Sequence, residues 1–282
     1  MLIFETQLAL KEHLKVISNS KTTIGFVPTM GALHRGHLSL VEKSLQNNNL
    51  TIVSIFVNPT QFNNAEDLEK YPRNLECDLV KLQNTSDKVI IYAPTVDDIY
   101  EGNTISTSFN FDGLENQMEG KFRPGHFEGV GTIVKRLFEI VKPTNAYFGE
   151  KDFQQLQIIK KLVEKENFPI TIVGCPIFRE ENGLAMSSRN ERLSPIERNS
   201  AAIIYKTLME VKIQFASKSL SEITIWVKQV FENQPDFKLD YFEIADETTL
   251  VTCETKNPDK KCRAFIAVFV NNIRLIDTIS LN

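Results

Sequence analysis

The sequence predicts an α/β fold in which helices cover both faces of a parallel sheet. Up to about residue 176, short apolar segments alternate with segments of helical periodicity. After Cys175-Pro176 the pattern changes, because a polar stretch is followed by two helical segments and a closing set of strands. These observations predict a Rossmann-like, doubly wound parallel sheet in residues 1–176 and a smaller α+β domain in residues 177–282.

The first region contains the alternating elements. Its strands are runs rich in β-branched and aromatic residues, and its helices carry apolar residues three and four positions apart. Strands are predicted at 23–27, 51–57, 88–92, 145–148 and 170–173, and helices at 6–18, 37–47, 68–83, 127–141 and 153–166. Ligands bind at the carboxyl ends of parallel strands, so the loops after Val27, Val57 and Phe148 are expected to converge on one crevice.

The second region begins with a recognisable helix start. Ser194 followed by Pro195, with Glu197 in the first turn, is typical of a helix N-terminus. Helices are predicted at 195–215 and 220–231, and strands at 238–245, 263–270 and 273–279. Asn271-Asn272 predicts a two-residue hairpin turn between the last two strands.

Composition narrows the class of protein. The 282 residues are 42% hydrophobic and 24% charged, with a net charge of −4, which is typical of a soluble globular chain. The acidic balance argues against a broad nucleic-acid-binding face. No run of 18 apolar residues predicts a membrane span and no secretory signal is visible, so a cytoplasmic location is expected.

The four cysteines form no C-x-x-C pair. They are Cys77, Cys175, Cys253 and Cys262. We expect free thiols, although Cys253 and Cys262 could meet across a hairpin as a disulfide or contribute to a metal site.

The most informative motif is the stretch at 28–37. It has the pattern of a strand end, a loop containing Gly31, and a helix start after Gly36. Such a junction is expected to direct backbone N–H groups and a helix dipole at an anionic ligand, here a phosphate chain. His34 and His37 fall on one helical face at the same place. A metal site is the alternative, but no third ligand lies nearby in sequence.

A second junction of the same kind lies at 148–155. Gly149 permits close backbone approach, and Lys151 supplies a compact positive charge. Asp152 either caps the following helix or contacts the ligand. Gln155 is expected to face the crevice from the first helical turn.

Three further stretches carry polar side chains in suitable loops. Ser187-Ser188-Arg189 combines hydroxyl donors with a guanidinium, which suits a phosphate, although a plain polar loop is the alternative. Gln61, in the loop 58–62, can hydrogen-bond a substrate hydroxyl or carboxylate. Arg123, in the loop 120–127, lies either in the site or in a surface turn.

Together these five segments closely resemble the pantoate–β-alanine ligases, also called pantothenate synthetases. This family of nucleotidyltransferases is similar to class I aminoacyl-tRNA synthetases. Residues 30–37 resemble a variant of their HIGH signature, and residues 186–189 a looser form of their KMSKS-type loop. The five segments occur in the family's order and spacing, whereas the last ninety residues resemble it mainly in length and architecture.

The resemblance implies a two-step reaction. The carboxylate of pantoate attacks the α-phosphorus of ATP to give pantoyl adenylate and pyrophosphate, and the amine of β-alanine then attacks the acyl carbon to give pantothenate and AMP. ATP is thus a substrate, and Mg²⁺ accompanies it. The family also implies a homodimer with small-molecule substrates only, without nucleic-acid or membrane partners.

The resemblance also assigns residues. His34, His37, Lys151 and Arg189 are the expected catalytic groups, with His37 either donating a proton or only hydrogen-bonding phosphate. The expected ATP-binding residues are Met30, Gly31, Ala32, Leu33, His34, Arg35, Gly36, His37, Gly149, Glu150, Lys151, Asp152, Phe178, Met186, Ser187, Ser188 and Arg189, and Arg35 has no individual role. Gln61, Gln155 and Arg123 are expected to bind pantoate, and Gln61 also β-alanine. The loop 183–190 is expected to be mobile until ATP binds.

Three other functions compete with this interpretation. Another adenylyltransferase would take a phosphate-bearing acceptor, but Gln61 and Gln155, rather than extra Lys or Arg, favour an uncharged polyol acid. A tRNA-charging enzyme is disfavoured because the C-terminal region is short and not notably basic. A silent nucleotide-binding module would not need both histidines, Lys151 and Arg189.

Overall fold

A parallel sheet organises the first region of the chain, as predicted, but it has six strands instead of the five predicted. The computed structural model describes residues 1–282. The strands are β1 (Leu2–Phe4), β2 (Ile24–Thr29), β3 (Leu50–Ile55), β4 (Val89–Tyr92), β5 (Asn145–Gly149) and β6 (Thr171–Cys175). They lie in the order β1-β4-β3-β2-β5-β6, and all neighbouring pairs are parallel. The direction of winding therefore reverses between β2 and β5, where doubly wound folds bind ligands.

Helices cover both faces of this sheet. They are α1 (Gln7–Ile17), α2 (Arg35–Asn47), α3 (Ala65–Glu69), α4 (Leu75–Thr85), α5 (Val96–Tyr100), α6 (Met118–Phe122), α7 (His126–Val141) and α8 (Phe153–Lys165). Apolar residues of α2 and α4 fill the core on one face, and those of α1, α7 and α8 fill the larger core on the other. No helix of the chain combines the length and apolar character needed to cross a membrane.

The C-terminal region is a three-stranded antiparallel sheet packed against two helices. Its elements are α9 (Pro195–Ser200), α10 (Ile203–Gln214), α11 (Leu220–Glu232), β7 (Phe237–Asp246), β8 (Cys262–Val270) and β9 (Ile273–Ser280). Val270 pairs with Ile273, so Asn271-Asn272 forms the predicted hairpin turn, and Asn271 has φ +50°. Tyr241 and Phe265 belong to the larger core of the parallel sheet, so the two regions share apolar packing.

Two predicted helices are each divided in the structure. The single helix predicted at 68–83 is wrong: α3 ends at Glu69 and α4 begins at Leu75, because Pro72 disfavours helical backbone at Tyr71. The helix predicted at 195–215 is interrupted between α9 and α10, where Ala202 and Ile204 donate to carbonyls three residues earlier. The short elements β1, α5 and α6 were not predicted, because three to five residues carry little periodicity.

The four cysteines are free thiols. The sulfurs of Cys253 and Cys262 lie 3.5 Å apart at the start of β8. Burial, together with the hydrogen bond to Cys262, raises the pKa of Cys253 to about 12. The Cys253 thiol is therefore protonated at neutral pH, which makes it a poor nucleophile.

Candidate active site

A cleft opens at the carboxyl ends of β2 and β5, where the strand order reverses. As expected, the loops after β2, β3 and β5 converge on it, and residues 176–178 and 186–189 form its outer wall. The predicted site residues that line this cleft are Met30, His34, Gly36, His37, Gln61, Gly149, Lys151, Asp152, Gln155, Phe178, Met186, Ser187, Ser188 and Arg189. Residues that the sequence singled out therefore line both ends of this cleft.

Six predicted site residues lie outside this cleft. Leu33 is buried in the core between the sheet and α2, and Arg35 points to solvent, where it pairs with Glu42 at 3.3 Å. The carboxylate of Glu150 faces Arg263 of the C-terminal sheet at 3.7 Å. Arg123 lines a smaller adjoining cavity that it shares with Gln155. The remaining two, Gly31 and Ala32, contribute backbone to the loop behind the cleft wall.

The backbone of this loop is held by a carboxylate from α4. Gly31 and Ala32 have φ values of +79° and +49°, and the amides of Ala32 and Leu33 donate to the two Asp78 oxygens at 2.9 and 2.7 Å. A Cβ atom at Gly31 would lie 3.0 Å from an Asp78 oxygen, which explains the glycine there. Asp78 thus accepts hydrogen bonds from two of the backbone amides that the sequence assigned to a phosphate.

The expectation that free backbone N–H groups receive the ligand is wrong for most of this junction. The N–H groups of Gly31, Ala32, Leu33, His34, Gly36 and His37 all have acceptors within the protein. Most of these acceptors are side-chain atoms. A hydroxyl and the imidazole nitrogens lie within two or three residues along the chain, and the carboxylate belongs to Asp78 on α4. At this junction an anion is therefore met mainly by side chains.

His34 and His37 form a reciprocal cap at the start of α2. Nδ1 of His34 accepts from the Gly36 amide at 3.1 Å, and Nδ1 of His37 accepts from the His34 amide at 3.3 Å. A Cβ atom at Gly36 would lie 2.9 Å from the His34 ring, so glycine is required for this approach. Because each Nδ1 is an acceptor, the proton of each neutral ring sits on Nε2.

Both rings are neutral at physiological pH. Burial lowers the pKa of His34 to about 2, and nearby His37, Lys151 and Lys81 add to the effect. Burial also lowers the pKa of His37 to about 4, while the carboxylate of Asp152 opposes the shift. Each histidine is therefore a hydrogen-bond donor through Nε2 and carries no surplus proton at pH 7.

The positive charge of the cleft comes from Lys151 and Arg189. The ammonium of Lys151 lies 3.6 Å from the carboxylate of Asp152. Asp152 makes no capping hydrogen bond to α8, so its alternative role as a helix cap is wrong. Arg189 is held by Asp67 at 2.8 Å. Asp152 is the one acidic residue among those lining the cleft, which leaves the site net positive.

The other end of the cleft is apolar, with two glutamines. Side chains of Phe56, Val130 and Val134 line it beside Gln61 and Gln155. Oε1 of Gln61 accepts a hydrogen bond from the buried amide of Asn58 at 3.1 Å. This end suits a small ligand that combines apolar carbon with hydroxyl or carboxylate oxygens.

A histidine that was not predicted supports Gln61 from behind. The ring of His126 is buried at the start of α7, and its Nδ1 donates to the backbone carbonyl of Gln61 at 2.9 Å. Its Nε2 accepts from Arg123 at 3.3 Å. Burial, reinforced by the Arg123 charge, lowers the pKa of His126 to about 4.

The outer wall is fastened to both domains. The hydroxyl of Ser188, expected to meet phosphate, donates to the carbonyl of Ala32 at 3.0 Å. Arg179, which follows Phe178, forms a two-pronged ion pair with buried Asp277 at 2.7 and 3.0 Å. These contacts tie the segment to the loop after β2 and to β9.

An ion cluster joins the two domains below this wall. Arg274 of β9 binds both oxygens of buried Glu119 at 2.8 Å, and the hydroxyl of Tyr241 donates to the same carboxylate at 2.9 Å. Burial alone would raise the pKa of Glu119, but the hydrogen bonds and charge of Arg274 outweigh it and lower that pKa to about 2. Arg123 lies 3.5 Å from Glu119, so its charge belongs to this cluster.

The strand order and the cleft define a class of protein: a Rossmann-like α/β enzyme whose site joins a cationic end to an apolar, amide-lined end. A family model described as "Pantoate-beta-alanine ligase" matches residues 2–280. The chain therefore belongs to the pantoate-beta-alanine ligase family.

Comparisons with individual proteins agree with membership in this family. The chain is 66% identical to a pantothenate synthetase from Flavobacterium psychrophilum, with 100% of both chains covered. Among solved structures, it is similar to a pantothenate synthetase from Thermus thermophilus, with 38% identity, a TM-score of 0.90 and coverage of 100% and 99%. It is also similar to a pantoate-beta-alanine ligase from Francisella tularensis solved with beta-gamma ATP and beta-alanine, with 36% identity, a TM-score of 0.83 and coverage of 100% and 98%.

Proposed function

We propose that this protein condenses pantoate with β-alanine to pantothenate, using ATP and passing through pantoyl adenylate. The main support for the proposal is that the two ends of the cleft differ in charge and polarity. Lys151, Arg189 and two neutral histidine donors lie at one end, and Gln61 and Gln155 lie among apolar side chains at the other. Family membership and the ATP and β-alanine complex of the Francisella tularensis relative support the same reaction.

The cationic end is suited to the phosphates of ATP. Bringing a carboxylate about 4 Å from a phosphate charge costs roughly 4 kcal/mol at an effective dielectric constant near 20. Lys151 and Arg189 offset this repulsion, and the Nε2–H groups of His34 and His37 donate to the phosphate oxygens. Because these groups are positioned before the substrate arrives, they stabilise the charge that develops on the departing pyrophosphate.

His37 acts in this scheme as a hydrogen-bond donor. Its pKa of about 4 leaves the ring neutral at pH 7, and its Nδ1 is engaged by the His34 amide. Attack of a carboxylate on phosphorus requires no proton from the enzyme. The geometry therefore supports the hydrogen-bonding role over proton donation.

The apolar end is suited to pantoate. Gln61 and Gln155 are the amides that can meet its hydroxyls and carboxylate, and the neighbouring valines match its methyl groups. Asn58 and His126 hold Gln61 at its side chain and at its backbone, respectively. In the second step, Gln61 would also face β-alanine, whose amine attacks the acyl carbon of the adenylate.

Magnesium is part of the proposal as the companion of ATP. No group of three or more His, Cys, Asp or Glu side chains is placed to hold a metal. The donors present fit a Mg²⁺ ion bound mainly by phosphate oxygens and water, with Asp152 as the available carboxylate. When bound, the ion would neutralise phosphate charge. We also propose a homodimer in the cytoplasm, as the family resemblance implies.

The test is an assay with purified protein, ATP and Mg²⁺, to which pantoate and β-alanine are added singly and together. We expect pantothenate and AMP when both acids are present, and a single stoichiometric release of pyrophosphate with pantoate alone. Pantothenate formation without that release would contradict the adenylate intermediate. Absence of both products under every combination would contradict the proposed function.

A further inference from the structure

Arg192 is a second guanidinium beside Arg189 that none of the roles above uses. Both residues belong to the short 3₁₀ helix Ser188–Arg192. This helix has three residues per turn, so side chains three positions apart lie on the same face. Arg189 lines the cleft, whereas Arg192 lines the adjoining groove between the two domains. The side chains are 27% and 26% exposed, respectively, so both can meet a solvent-borne ligand.

One carboxylate bridges these two guanidiniums. Oδ2 of Asp67 lies 2.8 Å from Nη2 of Arg189, and Oδ1 lies 3.4 Å from Nη1 of Arg192. The two arginines are thus already arranged around an anion that offers one oxygen to each. Two positive charges share one negative charge, which leaves the trio with a net positive charge.

The groove provides a route between this trio and the phosphate end of the cleft. It shares Lys151, Asp152, Ser187 and Arg189 with the cleft, and it has a volume of about 810 Å³. Of its other cations, Lys70 pairs with Glu66, Arg123 lies beside Glu119, and Arg274 is engaged by Glu119 and Asp240, while Lys238 lines the groove as well. Arg192 adjoins Arg189 on this route, because both guanidiniums contact the same Asp67 carboxylate.

We infer that Arg189 and Arg192 form a binding subsite for pyrophosphate, and that Asp67 occupies it until pyrophosphate displaces the carboxylate. The inference rests on the proposed function, which places the phosphates at Lys151 and Arg189. A multiply charged anion with several oxygens is favoured over a monocarboxylate, because it must outcompete a carboxylate that is already in place.

The test is product inhibition by inorganic pyrophosphate, measured as AMP formation at varied ATP. Arg192→Gln is expected to raise the inhibition constant of pyrophosphate about tenfold, as for the loss of one charge-assisted contact. Arg192→Lys keeps the charge but lacks the forked donor, so it should recover only part of the affinity.

Asp67→Asn gives the opposite expectation. The amide has the size of the carboxylate but not its charge, so it competes less well with pyrophosphate. The inhibition constant is therefore expected to fall severalfold below that of the unmodified protein. Lys212→Gln, which removes an exposed charge on α10, is the control and should leave the constant unchanged.

Two results would overturn the inference. One is an inhibition constant for Arg192→Gln that stays close to that of the unmodified protein. The other is weaker pyrophosphate binding in Asp67→Asn, which would make Asp67 a simple anchor for the arginines. Thermal melting of each variant identifies any that fail to fold, and calorimetric titration with pyrophosphate tests binding without turnover. The subsite is thereby tested even if the unmodified protein makes no pantothenate, the result that contradicts the proposed function.

Discussion

The side-chain amide of Asn58 donates to Oε1 of Gln61 at 3.1 Å and thereby sets which way the glutamine amide faces. With its oxygen engaged, Gln61 offers its NH₂ group as a donor. The Oδ1 atom of Asn58 accepts in turn from the buried hydroxyl of Tyr100 at 2.6 Å. The polarity of this glutamine is thus fixed by two residues behind it.

Replacing Asn58 should therefore affect pantoate more than ATP. Asn58→Ala frees the Gln61 amide to rotate, and we expect the KM for pantoate to rise about tenfold, the effect of one misdirected hydrogen bond. The KM for ATP should change little. Steady-state kinetics with each substrate varied measures both, with Asn47→Ala on the exposed side of α2 as the control. An equal rise in both constants would show that Asn58 supports the whole cleft.

Two substitutions of His37 separate hydrogen bonding from proton transfer. His37→Ala should slow adenylation by about 10²–10³-fold, as for one lost preorganised donor. His37→Gln places an amide NH₂ near the position of Nε2–H, so it should recover at least part of that loss. Rapid-quench measurement of pyrophosphate release gives both rates. If His37→Gln is as slow as His37→Ala, although it remains folded and binds ATP, proton donation becomes the better explanation.

The buried histidines should make stability depend on pH. His126 has a pKa of about 4 in the folded protein, below its ordinary value of 6.5, so between these values the unfolded chain binds more protons. The free energy of unfolding should therefore fall as pH drops below 6.5, by about 1 kcal/mol per pH unit for this residue between about pH 6 and 5. His126→Asn retains a donor for the Gln61 carbonyl but does not titrate.

Urea unfolding at several pH values tests this expectation. The slope of unfolding free energy against pH should be shallower in His126→Asn than in the unmodified protein. His13→Asn, a substitution beside Phe4 and away from the cleft, is the matched control. Identical slopes in all three proteins would mean that His126 titrates normally.

Asp78 should contribute to both stability and nucleotide binding. Asp78→Ala leaves the buried amide of Leu33 and the amide of Ala32 without acceptors, at a cost of about 2–3 kcal/mol. The melting temperature should fall by roughly 5–10 °C for a chain of this size, and the KM for ATP should rise as the loop relaxes. Scanning calorimetry and ATP titration measure these effects. Exposed Asp87→Ala is the control, and a melting temperature like that of the control would contradict the role.

The sequence could predict the sheet because its signals are local. The strands β2 to β6 are predominantly apolar segments, and the hairpin turn at Asn271-Asn272 is a dipeptide signal. The division of the helix predicted at 68–83 was also visible locally, since Pro72 lies within it, but the apolar spacing concealed it. The edge strand β1 was not predictable in this way, because its pairing with β4 joins residues that are far apart in the sequence, such as Leu2 and Ile90.

The sequence singled out polar residues that line the cleft, but not the residues that hold them in place. Lys151, Arg189, Gln61 and Gln155 stand in loops whose position follows from the strand pattern. Asp78 reaches Ala32 across 46 residues, so its role depends on how α4 docks against the sheet. Asn58 lies in the predicted loop 58–62, but only Gln61 was given a role. The sequence around these residues does not show that the amide of Asn58 orients the amide of Gln61.

The internally satisfied amides at the junction of β2 and α2 affect how the enzyme can evolve. A phosphate cradle built from main-chain N–H groups survives most substitutions, since every residue but proline supplies the same donor. In the proposed function the donors are the imidazole, ammonium and guanidinium groups of His34, His37, Lys151 and Arg189, which line the cleft, and each is lost when its own side chain is replaced. Phosphate affinity can therefore be weakened in steps by point mutations at these positions, and natural variants of reduced activity should concentrate there.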